Sequence, residues 1–196
     1  MPLTCRSTLS AALIAFSAGA FAAPAPLEPI ARVELSRYVG TWYQVALYPN
    51  RFQAQCVSDT SASYRALPDG HIEVLNRCRT ADGRDDQATG LARPDGSTVA
   101  DGQLAPATLK VSFLPAWLRW TGIGWGRYWV VALADDYRYA VVSEPTREYL
   151  WVLARQPTLG ADDERLIRAR LVELGFDLSR LQAHPQSARP TLPPTP

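Results

Sequence analysis

The chain has one lysine, Lys110, and its 20 positive side chains are otherwise arginine, set against 19 acidic ones. A balance this close leaves no basic face for a polyanion, so nucleic-acid binding is excluded as a function class. Histidine is nearly absent, with 2 copies, and the 3 cysteines form no CxxC pair. With no HExxH motif either, neither a dedicated zinc site nor any other cofactor is expected. No G-x-S-x-G elbow is present. His71 starts a strand beside a turn and His184 sits in a Pro-rich stretch, so neither is placed as a general base, and the chain reads as a non-enzyme. No uncharged apolar run reaches the roughly eighteen residues of a permanent membrane span.

What is present is an ordinary globular composition, 47% hydrophobic and 20% charged, in 196 residues. The 16 prolines are numerous for one domain and gather near the ends. The N-terminus has one charge, Arg6, then an apolar run from Leu9 to Phe21, then the small residues of Ala20-Phe21-Ala22. This order predicts a secretory signal over residues 1–22, with cleavage after Ala22. Cys5 precedes the apolar run, where a lipid-attachment cysteine would follow it, so no lipid anchor is expected. Residues 23–34 read as a Pro-rich leader, and residues 182–196 as a Pro-rich flexible tail. Loss of Cys5 leaves Cys56 and Cys78, an even pair in an exported chain, expected as one disulfide across a hairpin turned at Pro68-Asp69-Gly70.

The body, 35–181, is a series of short β-rich segments. They run Thr41–Tyr48, Val57–Arg65, Ile72–Arg79, Gln87–Arg93, Thr108–Leu114, Tyr128–Ala134, Tyr139–Ser143 and Tyr149–Gln156. Gly, Pro and Asp punctuate the gaps, which favours an all-β sandwich or up-and-down barrel over a βαβ fold. The period then changes. From Gly160 to Leu174 the chain has Asp162, Asp163 and Glu164 in a first helical turn and Leu166, Ile167, Leu171 and Leu174 at helical spacing, closed by Gly175.

Gly40-Thr41-Trp42, then Asp136-Tyr137 between the sixth and seventh strands, then Arg155 at the end of the last strand, resemble the three spaced signatures of the lipocalins. The strand wording, from GTWYQVALYPNRFQ to REYLWVLARQPTL, is similar to the bacterial, outer-membrane lipocalin-like group over about Leu35 to Leu181. Asp135 departs from the Thr often found before the second signature. The resemblance implies an eight-stranded, up-and-down antiparallel β-barrel, or calyx, with a C-terminal α-helix packed outside. It also implies structural roles for Gly40, Trp42, Asp136, Tyr137 and Arg155, with the arginine packed across the indole at the closed end.

In such a barrel the cavity candidates by alternation are Ala46, Tyr48, Tyr64, Val74, Val111, Phe113, Trp129, Val131 and Trp151, any of which could equally be plain core. Several strands are apolar on both faces, so their register is open. The loop with Trp117, Arg119, Trp120 and Trp125 is either core folded over the barrel or an apolar lip that touches lipid. Arg51, Arg84, Arg119 and Arg147 lie in loops at the expected mouth, as headgroup contacts or as solvated arginines. The implied function is carriage of a small hydrophobic lipid, a fatty acid or lysophospholipid, in the periplasm or at the outer membrane, by a monomer or dimer in peripheral membrane contact. A periplasmic scaffold with a filled barrel and a lipocalin-type enzyme are the alternatives.

Overall fold

The computed structural model describes residues 25–95 and 104–187. The expected signal and its cleavage point, Cys5, and the last part of the expected tail lie outside the described residues. The elements in order are β1 (Arg32–Glu34), α1 (Leu35–Tyr38), β2 (Gly40–Leu47), a 3-10 turn at Arg51–Gln53, β3 (Cys56–Ala66), β4 (Ile72–Thr80) and β5 (Asp85–Pro94). There follow β6 (Leu104–Pro106), β7 (Thr108–Ser112), α2 (Ala116–Arg119), β8 (Gly126–Leu133), β9 (Tyr139–Ser143), β10 (Leu150–Ala154), α3 (Ala161–Glu173), a second 3-10 turn at Leu178–Arg180 and β11 (Gln182–Ala183).

Eight of the strands, β2, β3, β4, β5, β7, β8, β9 and β10, pair antiparallel in that order, and β10 pairs back onto β2 to close the barrel. Closure satisfies the ladder groups that an open sheet would leave at its edges. The predicted strands match these eight within a few residues at each end. The separate ribbon of β1 and β6, paired Arg32↔Pro106 to Glu34↔Leu104, covers one end of the barrel. Val33, Tyr38, Ala105 and Ala107 from this region join the apolar cluster that contains Trp42, Val74 and Leu153. Cys56 and Cys78 form the expected disulfide, with Cα atoms 5.5 Å apart, between the start of β3 and the end of β4.

α3 lies on the outside. Its Ile167 and Leu171 pack with Phe176, Tyr48, Val131, Val141, Leu150 and Val152 in a second cluster. Leu166, read as part of the buried stripe, is 54% exposed instead, because the helix touches the barrel along a narrower arc. Gly175, at φ +77°, takes the left-handed turn after the helix, and Phe176 N–H then reaches back to the Leu171 carbonyl at 2.9 Å. Arg138 ties the start of α3 to the barrel through Asp163 at 2.8 Å.

The leader and tail read from composition are drawn into the fold where they meet it. Leu27 is buried in the outer cluster, and Val33 in the inner one. At the other end, β2 pairs with β3 only from Gly40↔Tyr64 to Tyr43↔Ser61, and the two strands then part. Residues 182–187 enter that seam. Gln182 and Ala183 pair with Leu47 and Ala46, and His184 N–H donates to the Val45 carbonyl at 2.9 Å. The Gln186 amide bridges the Gln44 and Thr60 carbonyls at 2.8 and 2.9 Å, and Asp59 N–H donates to the Pro185 carbonyl at 2.9 Å. A Pro-rich, apolar-poor segment is ordered here because hydrogen bonds to the backbone of β2 and β3, together with the buried His184, hold it.

Candidate functional site: the barrel interior and its rim

The closed end is built around Trp42, which is fully buried. Its indole N–H donates to the Tyr38 carbonyl at 2.7 Å. The Arg155 guanidinium lies 3.8 Å from the Trp42 ring centroid and donates to the Thr41, Tyr38 and Val39 carbonyls at 2.9, 3.2 and 3.0 Å, and to the Arg37 carbonyl. One planar side chain thus stacks on the indole and collects the carbonyls of the chain that passes beneath it. Burial pulls the Arg155 pKa down from its ordinary value, although the group stays charged. Gly40 has φ +92°, and a Cβ there would sit 3.5 Å from Arg155 Nη1, so glycine at this position serves the backbone. Tyr137, at φ +64°, accepts the Glu34 N–H at 2.8 Å and carries Arg37 over its ring at 4.1 Å. Asp136 accepts from Arg138 Nη1 at 2.9 Å, and hydrogen bonds from Arg138 lower its pKa.

The interior face follows from which residues share the inner cluster. Tyr64 and Val74 belong to it; Val111 and Trp151 pack against it. Phe113, two residues on from Val111, turns its ring over Gly90, where a Cβ would lie 2.7 Å from Phe113 Cε1. The other four cavity candidates are displaced. Tyr48 and Val131 are members of the outer cluster under α3, and Ala46 and Trp129 pack against it. The reason on β2 is a register shift: Val152 pairs with Ala46 but Leu153 with Gln44, so Val45 is an extra residue. It turns Ala46 and Tyr48 out of the phase set by Trp42 and Gln44. On β8 a similar shift falls between Val130 and Ala132. There both faces are apolar, so alternation could not choose between Tyr128–Val130 and Trp129–Val131.

Two polar constellations inside the barrel were not legible in the sequence. Tyr128 Oη lies 2.7 Å from Tyr38 Oη and 3.0 Å from Tyr64 Oη. Burial pushes all three phenols up, Tyr64 to about 12, so they are neutral hydroxyls. Nearer the open end, Trp151 Nε1 donates to Gln53 Oε1 at 2.9 Å, and Gln53 Nε2 donates to Gln44 Oε1 at 3.0 Å. Among the described residues, no Asp, Glu, Lys or Arg is buried.

The open end is the one from which the β2–β3, β4–β5, β7–β8 and β9–β10 loops project. Of the eight exposed large apolar side chains among the described residues, six are here: Phe52, Val57, Phe113, Trp117, Trp120 and Ile123. Trp117 and Trp120, on and beside α2, are 70% and 83% exposed. Trp125 differs, since it folds back under Arg93 at 4.2 Å and donates to the Arg119 carbonyl at 3.1 Å. The rim arginines are engaged locally. Arg119 Nε donates to the Leu114 carbonyl at 2.7 Å, Arg84 pairs with Asp82 at 2.7 Å and Arg51 covers the Phe52 ring at 5.1 Å. Arg147 Nε binds the Leu174 carbonyl at 2.7 Å, which anchors the outer layer.

The family described as a lipocalin-like domain matches residues 33–186. Temperature-induced lipocalin-1 of Arabidopsis thaliana is 35% identical over 165 residues, 84% of this chain and 85% of that one. The outer membrane lipoprotein Blc of Vibrio cholerae is 38% identical over 170 residues, 83% of this chain and 88% of that one. Among solved structures, apocrustacyanin C1 superposes with a TM-score of 0.58 at 16% identity, covering 78% of this chain and 79% of that one, a likeness of fold. The closed calyx, the Trp42–Arg155 closure and the matched span agree: the chain belongs to the lipocalin family, in the group that includes the bacterial outer-membrane lipocalins.

Proposed function

We propose that the protein is an exported carrier that takes a fatty acid or lysophospholipid into its barrel and exchanges it at an envelope membrane. The observation that carries this reading is the crowding of exposed apolar side chains at one end of a barrel whose other end is sealed. That asymmetry suits a ligand that enters and leaves by one door, directly from a lipid surface. Export is supported by the charge, apolar run and small-residue order of residues 1–22. It is supported also by the name of the Vibrio cholerae relative, an outer membrane lipoprotein.

The energetics are adequate. Each buried methylene contributes about 0.8 kcal/mol, so a long acyl chain supplies roughly 10 kcal/mol before the cost of immobilisation. That leaves an affinity of about micromolar. Carriage rather than chemistry is supported by an interior lined with apolar side chains, the Gln44 amide and neutral tyrosine hydroxyls.

The test is native mass spectrometry of gently extracted protein, followed by tryptophan-fluorescence titration with fatty acids and lysophospholipids. A co-purifying lipid and saturable quenching are expected. A bare mass together with no response to either lipid class would overturn carriage in favour of a filled scaffold.

A further inference from the structure

The relay from Trp151 through Gln53 to Gln44 has a fixed direction. An indole N–H can only donate, so the Gln53 atom it meets must be the carbonyl oxygen. The Gln53 amide nitrogen is then the donor to Gln44, and the atom that receives it must be the Gln44 oxygen. Gln44 Nε2 is therefore the terminus, with two N–H protons directed onward. It is buried and has no acceptor. Gln44 is 3% exposed and pairs with Leu153, a member of the inner cluster, so it faces into the barrel.

The hydroxyl triad gives the same result by a separate count. Tyr38, Tyr128 and Tyr64 hold three O–H protons but make two hydrogen bonds, so one donor is left over whichever way the hydroxyls turn. Tyr128, in the middle, stays partly accessible while its neighbours are buried. The interior thus offers donors at two depths. Among the described residues no Lys or Arg is fully buried, and Arg155, half-buried at the closed end, is already taken up by four backbone carbonyls and the Trp42 ring, so no free cation waits there for a carboxylate.

We propose that the barrel recognises its ligand by a neutral oxygen acceptor set within an apolar frame, an ester or ketone carbonyl or an ether or hydroxyl oxygen, held by the Gln44 amide with the tyrosine hydroxyls beyond it. This rests on the carrier reading above and adds a ligand chemistry to it. A free carboxylate stays at the rim, and a lysophospholipid satisfies the interior through its ester carbonyl.

The test uses the full-length protein and a set of long-chain ketones of one length, in which the carbonyl is moved along the chain. The alkane and the carboxylic acid of that length are the references, and affinity is read by displacement of an apolar environment-sensitive dye. One carbonyl position is expected to bind about tenfold tighter than the alkane, the worth of satisfying a buried donor. Gln44→Leu abolishes that preference but still binds the alkane. Gln53→Leu lets the Gln44 amide turn, so that this variant accepts an amide or alcohol donor as readily as a ketone. A flat response of the wild-type protein to carbonyl position overturns the proposal and leaves carriage standing. Failure of the whole set, the fatty acid and the lysophospholipid to bind overturns carriage itself.

Discussion

Arg155 shows how one side chain can organise an end of a barrel. It stacks on Trp42 and gathers carbonyls from successive residues of the entering chain. Lysine keeps the charge but has neither the planar fork nor the same stacking, so Arg155→Lys is expected to destabilise the fold by about 1–3 kcal/mol, read as a lower urea midpoint with an unchanged slope. Both partners were legible through the resemblance, because Gly40-Thr41-Trp42 and Arg155 match two of the spaced lipocalin signatures. Gln44 was not. Alternation puts it on the same face as the cavity candidates Ala46 and Tyr48, but nothing in the sequence announces the extra residue at Val45 that sends those two outward and leaves Gln44 as the one facing in. What identifies it is the neighbour it keeps, Leu153, which only the closed barrel supplies.

Among the elements, the terminal segment after the second 3-10 turn departs most from its composition. His184 is buried against Thr60, with Nε2 and Oγ1 2.7 Å apart. Burial pulls its pKa below the ordinary value, and the Asp59 carboxylate offsets this only in part. Asp59 is pushed up by burial, but hydrogen bonds from Ser187 and Ser58 outweigh this and hold it low, with Arg79 nearby, so it titrates below the histidine range. The neutral imidazole is the folded form, and unfolding therefore takes up a proton. This contribution is complete above the ordinary histidine pKa of about 6.5 and is lost as pH falls through the lower folded value. Melting temperature should accordingly fall faster on acidification in the wild-type protein than in His184→Gln, and amide exchange at Ala183 and His184 should accelerate first. The eight barrel strands were readable because turn chemistry separates them. Residues 182–187 were not, because the signal for them lies in the gap between β2 and β3, which no local window contains.

At the scale of the molecule, the barrel has two unlike ends. One is sealed by the β1–β6 ribbon, Trp42 and Arg155, and the other presents Phe52, Trp117, Trp120 and Ile123 to solvent. Largely exposed indoles contribute little to the fold, so Trp117→Ser with Trp120→Ser should leave the unfolding free energy within about 0.5 kcal/mol of wild type. Sedimentation with phospholipid vesicles should show weaker binding, and the rate of ligand loading from those vesicles should drop. Unchanged sedimentation and loading would remove the lip from the account. The sequence permitted the lip to be read as core or as surface. Trp117 and Trp120 stand exposed because other strands already supply the apolar interior.

The seam carries a consequence for how the chain is made. The first barrel strand is completed on one edge by β10 and on the other, beyond Tyr43, by residues near the end of the described chain. Pairings so distant in sequence are slow to form and leave backbone groups open until they do. As synthesis runs from the N-terminus, β2 waits for nearly the whole polypeptide before its own ladder is satisfied. A chain halted or clipped before Gln182 would keep an unpaired edge on a barrel otherwise closed, a template for joining another copy rather than for folding alone.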